Sequence, residues 1–395
     1  PIQCSGCERS SQRLSSASST WWTAQVTSGG PIIPDYAGAN VRGIVPALLG
    51  PASWRSGLPD WMPEPVAQAE SVVLLVLDGL GWDQLQDHPE ELPTVSSMVG
   101  GPIHTVAPTT TATALTSIAT GLTPAEHGLI GYRIVLGGEI VNVLRWSVGD
   151  QPVRRSHPPR DVQPYDPFIG RTVPVISPAE LQNSAFSEAH LRGSRPEGWR
   201  AASSIAVEAR RQVEAGERFV YCYYGGIDKI AHERGFGPYY DAELRAADAL
   251  VADVLTTLPT GTTLLVTADH GQVHVGERIV TPSAALLAGV TMQSGEGRFR
   301  WLHVAKGATA DVAAAAESEV GGVAWVATRE RMIDEEWFGP AMAPAVRSRL
   351  GDVALVAREA VSFHDPADSG PFELICRHGS LTSAEVNVPL LGASA

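Results

Sequence analysis

Asp78, Asp228, His232, Asp269, His270 and His378 are the residues whose types and positions invite chemistry. Each has an ordinary structural use when taken alone. Asp78 suits a helix cap, Asp228 and His232 an i, i+4 contact on a helix, His270 a hydrogen-bonded core histidine, and His378 before Gly379 a turn. What they share is context. Asp78 ends the run SVVLLVLD, Asp228 ends RFVYCYYGGID, and Asp269 with His270 ends TTLLVTADH. Such apolar runs suit strands buried on both faces of a parallel sheet, and they deliver their carboxyl ends to one rim. Several carboxylates buried at one rim are costly without a cation. A pair of divalent metals would supply it, and mixed His and Asp donors favour zinc or a similar first-row ion over magnesium or calcium.

The elements that must position these residues predict an α/β fold, with a central mostly parallel sheet sandwiched by helices and a small inserted α+β subdomain. Arg200 to Glu217 reads as helix, and a second helix follows Asp241 with Leu244, Val251, Val254, Leu255 and Leu258 on one stripe. Residues 31–280 and 376–395 form the expected core, RHGSLTSAEVNVPLL returning the chain to the main sheet. Strand-like GRFRWLHVA, VAWVAT and DVALVA, with helix-like ATADVAAAAESEV, predict the subdomain over 281–375. Residues 151–198, rich in Pro and Arg, read as a long excursion of the lid or specificity-loop kind. Residues 1–30 lack sustained periodicity and read as a poorly ordered tail.

Composition narrows the class of function. Over 395 residues, 44% apolar and 18% charged content excludes a disordered chain or a coiled coil. The net charge of −14 argues against binding a nucleic-acid polymer, so an anionic substrate must be held locally. Cys4, Cys7, Cys222 and Cys376 are too few for a disulfide framework; Cys222 reads as a buried free thiol, and the Cys4–Cys7 pair lacks a second pair to complete a zinc knuckle. No apolar run reaches the roughly 18 residues of a membrane span, and no basic-then-apolar leader pattern is present. The default expectation is a cytoplasmic protein.

In motif order, VLDGLG, PTTTATALTSIATGLTPAEHG, the Asp228–His232 pair, TADHG and the late His378–Gly379 resemble the alkaline phosphatase superfamily, most closely its type I phosphodiesterase and nucleotide pyrophosphatase branch. The resemblance covers residues 70 to 392. Its middle motif is the most specific, with Pro108, Thr111, Thr120, Gly121, Pro124, His127 and Gly128 in register without a gap. It implies an α/β sandwich and two metal sites, one held by Asp228, His232 and His378, the other by Asp78, Thr111, Asp269 and His270. Thr111 would be the nucleophile, forming a covalent phosphothreonine that water hydrolyses from the other side. Two ions roughly 3.5 to 4 Å apart clamp the attacking and leaving oxygens of such a displacement. Thr109, Thr110 and Thr113 crowd the same run, and register alone selects Thr111. His127 matches a position that holds no metal and reads as structural. The implied substrate is a small phosphoester or nucleotide-like molecule.

Two departures bear on the substrate. Relatives carry Asn five residues after the motif histidine, to hold a nonbridging phosphate oxygen; here Tyr132 stands there as the expected substrate-binding group, able to donate one hydrogen bond. Relatives often have Lys before the nucleophile, and here it is Thr110. A less basic site suits a diester or pyrophosphate more than a dianionic monoester. A sulfatase needs Cys or Ser at the nucleophile position to make formylglycine, which Thr111 does not offer. Phosphomonoesterase, phosphonate hydrolase and noncatalytic metal-binding module are the alternatives on the same scaffold.

Overall fold

The computed structural model describes residues 29–50, 57–368 and 373–395. The expected tail through residue 28 and the Cys4–Cys7 pair lie outside the described residues. Among the described residues the main sheet has seven strands: β1 (Ser71–Leu77), β2 (Val99–His104), β3 (Pro174–Pro178), β4 (Arg195–Trp199), β5 (Phe219–Tyr224), β6 (Thr262–Thr267) and β7 (Asn387–Ser394). Their order is β2-β7-β6-β1-β5-β3-β4. From β6 to β4 all neighbours run parallel, while β7 is antiparallel to β6 and β2.

β1 lies at the centre, with Leu75 opposite Val266 on one side and Cys222 on the other. All seven of its residues are buried, which is why the run carries no polar alternation. Helices flank the sheet. Ser204–Glu214 packs against Pro238–Thr257, and Thr111–Thr120 packs against Ala185–Leu191 and Ile44–Leu49. The Pro238–Thr257 helix begins three residues before Asp241, because Pro238 at its first position has a φ already suited to a helix and lacks an N–H that would go unbonded there. Its Leu244, Val251 and Val254 are buried as the stripe requires. Cys222 and Cys376 are buried free thiols. No helix among the described residues is long and apolar enough to cross a membrane.

The stretch 151–198 is more than a surface excursion, since it contributes β3 and β4 to the main sheet. Both strands are short and hold proline, so they lack the long apolar run that marks a central strand. Beyond residue 280, Val290–Glu296, Phe299–Val304, Val353–Ala357 and Ala324–Thr328 pair antiparallel in that order. Side chains alternate across this second sheet. Phe299, Trp301, Ala354 and Val356 enter the main core, whereas Leu302, Val353, Leu355 and Ala357 pack with Val312, Ala316 and Val320 of the Thr309–Val320 helix. Arg298, in the turn before Phe299–Val304, makes a fully buried two-pronged ion pair with Glu385, in the short helix before β7, at 2.7 and 2.9 Å.

Candidate metal centre

Strand ends supply half of the site. Asp78 directly follows β1, and Asp269 and His270 follow β6. β5 ends at Tyr224, short of Asp228, which lies instead in the first turn of helix α1 (Gly226–Arg234) with His232 one turn later on the same face. Gly225 and Gly226 make that corner; a side chain on Gly226 would lie 2.1 Å from a Glu243 oxygen. His378 comes from the loop after Cys376–Arg377, a short strand paired with Val273–His274. Thr111 is the first residue of helix α2 (Thr111–Thr120).

These six acid and histidine residues and Thr111 converge. Nε2 of His270 lies 3.5 Å from Asp78 Oδ1, 3.4 Å from Asp269 Oδ2 and 3.1 Å from Thr111 Oγ1. Asp228 Oδ1 is 3.2 Å from His232 Nε2 and 3.9 Å from His378 Nε2. The His270 and His378 rings stack at 3.6 Å, and His232 and His378 are 5.1 Å apart. Two sets of donors are each close enough to hold one ion: Asp78, Asp269 and His270, and Asp228, His270 and His378.

The hydrogen bonds around the cluster fit a cation. His232, His270 and His378 each place Nδ1 against a backbone carbonyl, of Cys376 at 2.7 Å, Gly271 at 3.1 Å and Thr109 at 2.8 Å. A carbonyl only accepts, so Nδ1 of each ring carries a proton and Nε2 is the nitrogen turned toward the carboxylates. Asp269 Oδ1 accepts the amides of Gly79 and His270, which leaves Oδ2 facing His270. Among the described residues, the buried Asp78 Oδ1 and Asp269 Oδ2 find no hydrogen-bond partner. Lone pairs and orphaned carboxylate oxygens gathered in one dry place repel one another unless a positive ion sits among them. Burial first, then the charges of Asp269 and Asp228, lifts the Asp78 carboxyl well above the usual range. Burial also raises Asp269, against the pull of His270, and burial with the neighbouring His270 and His232 holds His378 well below an ordinary histidine.

Several orienting groups escaped sequence reasoning. The Tyr223 hydroxyl donates to Asp78 Oδ2, and Gln272 donates to Asp228 Oδ1 at 3.0 Å. Tyr223 sits inside an apolar strand run, where a tyrosine reads as core, and no spacing rule marks Gln272. Thr109 joins its segment to His378: its amide donates to Gly379 O, and its hydroxyl accepts from Gly379 N. Tyr132 is half-buried; its hydroxyl accepts a hydrogen bond from Asn142 at 2.6 Å, and its amide donates to Glu296 at 3.0 Å. His127 is fully buried, 2.8 Å from the Ser117 hydroxyl.

A mostly parallel α/β sheet with acids and histidines gathered at its carboxyl rim, beside a hydroxyl at a helix start, fits a hydrolytic enzyme of the alkaline phosphatase superfamily. The model of the type I phosphodiesterase / nucleotide pyrophosphatase family matches residues 72–381, and the chain belongs to that family. Among solved structures it is similar to murine ectonucleotide pyrophosphatase / phosphodiesterase 5, with a TM-score of 0.62 and 13% identity over 82% of this chain and 88% of that one. An inactive threonine-to-alanine variant of the murine protein, in complex with AMP, gives a TM-score of 0.60 at 13% identity, over 82% and 87%. Phosphonoacetate hydrolase from Sinorhizobium meliloti, in complex with phosphonoformate, gives 0.61 at 15% identity, over 82% and 90%. No curated protein matches the chain in sequence.

Proposed function

We propose that the chain is a two-metal phosphoric ester hydrolase of the phosphodiesterase or nucleotide pyrophosphatase type, acting through a covalent phosphothreonine on Thr111. The observation that carries this reading is the Thr111 hydroxyl, 3.1 Å from His270 Nε2 and on the rim where Asp78 and Asp269 hold orphaned oxygens. Asp228, His232 and His378 would hold one ion, and Asp78, Thr111, Asp269 and His270 the other, zinc being the ion that mixed His and Asp donors favour. When bound, such ions act as Lewis acids on phosphoryl oxygens and favour the alkoxide of a coordinated hydroxyl.

The chain's own groups account for the rest. Thr110 precedes α2 without capping it by its side chain, which leaves first-turn amides to meet a phosphoryl oxygen. Thr111 attacks phosphorus, the bond to the leaving oxygen breaks, and water then displaces Thr111 to regenerate its hydroxyl. Tyr132 would contribute a hydrogen bond to the substrate, its ring held in place through Asn142. The inactive threonine variant of the murine relative supports a threonine in this role, and its AMP complex supports a nucleotide-like substrate.

Phosphonate hydrolysis is the second reading, favoured by the comparable likeness to phosphonoacetate hydrolase. A panel of bis-p-nitrophenyl phosphate, a nucleotide pyrophosphate, p-nitrophenyl phosphate and phosphonoacetate, assayed on zinc-loaded protein, separates the two. Preference for the diester or pyrophosphate is expected. Turnover of phosphonoacetate alone would replace the reading, and bound metal without turnover on any substrate would make the chain a binding module.

A further inference from the structure

We propose that the pocket beside Arg349 is a second ligand site, which takes a small carboxylate with an apolar body and is independent of the chemistry at the metal centre. The pocket holds about 260 Å³ and lies between the end of the strand Arg133–Leu136, the turn from Ser156 to Val162, and the segment from Ala345 to Arg349. None of the acids and histidines of the metal centre lines it.

Arg349 is 9% exposed. Its Nη1 donates to Gly128 O at 2.6 Å and to Val162 O at 3.0 Å, which uses both hydrogens of that nitrogen and fixes the plane of the guanidinium. The close approach needs Gly128, which holds φ +78 and where a side-chain carbon would lie 2.2 Å from Nη1. The other edge of the group, Nε with Nη2, finds no partner among the described residues, and neither atom is sealed from solvent as Arg300 Nε is. Arg349 lines the pocket, so that open edge is the part a ligand can reach.

Charge sets Arg349 apart from the other buried arginines. Arg133, Arg298 and Arg300 pair with Asp365, Glu385 and Asp368, whereas Arg349 meets no carboxylate among the described residues. Burial pulls its pKa down to about 10, which leaves it charged at neutral pH. A buried cation without a counter-charge is costly. An oxyanion laid along the Nε–Nη2 edge would supply the charge and accept two parallel N–H bonds.

The walls select the class of anion. The Ser156 and Ser348 hydroxyls are committed to Val153 O and Ala345 O, and His157 Nε2 faces Glu139 at 3.4 Å, so the guanidinium edge is the main donor on offer. One fork and one charge match a carboxylate, whereas a phosphate brings more charge and more acceptor oxygens than this wall can meet. Leu136, Pro158, Val162 and Ala345 offer apolar surface to the rest of the molecule. Asp161 also lines the pocket, but it is exposed and solvent screens its charge.

Calorimetric titration of zinc-loaded protein with benzoate tests the site, with the neutral isostere benzamide as control. Benzoate should bind one site with a Kd below about 1 mM, and benzamide at least tenfold more weakly. Saturating inorganic phosphate, which would occupy the metal centre, should leave benzoate affinity unchanged. Arg349→Lys keeps the charge but loses the fork, and Ala345→Glu sets a carboxylate at the rim; each should weaken benzoate at least tenfold while zinc content and turnover stay parental. Absence of benzoate binding at about 10 mM, benzamide binding as tightly as benzoate, displacement of benzoate by phosphate, or parental benzoate affinity in either folded variant would overturn the proposal. If Arg349→Lys does not fold, Ala345→Glu decides: tenfold weaker benzoate supports the site, and parental affinity removes it.

Discussion

The hydroxyl oxygen of Thr111 lies 3.1 Å from Nε2 of His270, although 159 positions separate the two in the chain. The contact joins a helix start to a strand end. It sets the Thr111 oxygen beside the carboxylates of Asp78 and Asp269, which share His270 as a neighbour. A threonine placed there for helix capping would turn its oxygen back to its own helix. This one faces the acid cluster.

Replacing Thr111 by Ala should therefore cut turnover by several orders of magnitude, as losses of a nucleophile do. Stability should change by no more than about 1 kcal/mol. The neighbouring threonines should behave differently. Thr113 is buried with its hydroxyl unpartnered, so Thr113→Val should keep activity and hold or raise Tm. Thr109→Ala should lower activity through the His378 loop, which Thr109 holds. Parental turnover by Thr111→Ala alongside a dead neighbour would shift the nucleophile to that neighbour.

Chelation should abolish activity and also lower Tm. Burial first, and then the charges of Asp269 and Asp228, raises the Asp78 carboxyl, a cost that a bound cation offsets. An ion bound at a hundred times its Kd adds about 2.7 kcal/mol to the folded state. Atomic absorption on the loaded protein should find about two equivalents of zinc, the number a two-ion site holds. Unchanged Tm and rate after stripping would remove the metal assignment.

Arg298 and Glu385 are both fully buried, and Glu385 also accepts from Ser380 N and Thr382 Oγ1. Removing one charge strands the other. Arg298→Met should cost about 3–5 kcal/mol, whereas Arg298→Met with Glu385→Leu should recover part of that loss. Denaturant unfolding of both variants measures the difference, and equal losses would mean that the pairing is not what matters.

His127 gives the fold an acid limit. Burial, and then the nearby Arg349, lowers its pKa from 6.5 to about 3, so the folded state keeps the ring neutral while the unfolded chain protonates it. Its Nδ1 accepts from Leu129 N, and Nε2 meets the Ser117 hydroxyl, bonds that the neutral ring alone completes. Because the unfolded state binds the extra proton, stability should fall as pH drops from about 6.5 toward 3. In His127→Gln that slope should be shallower in Tm-against-pH curves. An identical slope would assign the acid sensitivity to other groups such as His190, whose pKa burial lowers to about 4.

The sequence by itself determined the elements that carry local signals. An unbroken β-branched and leucine run needs burial on both faces, which places β1 and β6 at the sheet centre and Asp78 and Asp269 at its rim. An i, i+4 spacing puts Asp228 and His232 on one helix face once the helix forms. Tertiary structure alone decided the pairing partners. His378 meets Thr109 across 269 positions, Tyr223 turns its hydroxyl to Asp78 from inside an apolar run, and Glu296 crosses from a second sheet to Tyr132. β3 and β4 joined the main sheet through edge pairing that their short, proline-bearing sequences do not advertise. The reason is physical: periodicity records how deeply a side chain is buried, whereas a hydrogen-bond partner is fixed by where distant backbone segments come to rest.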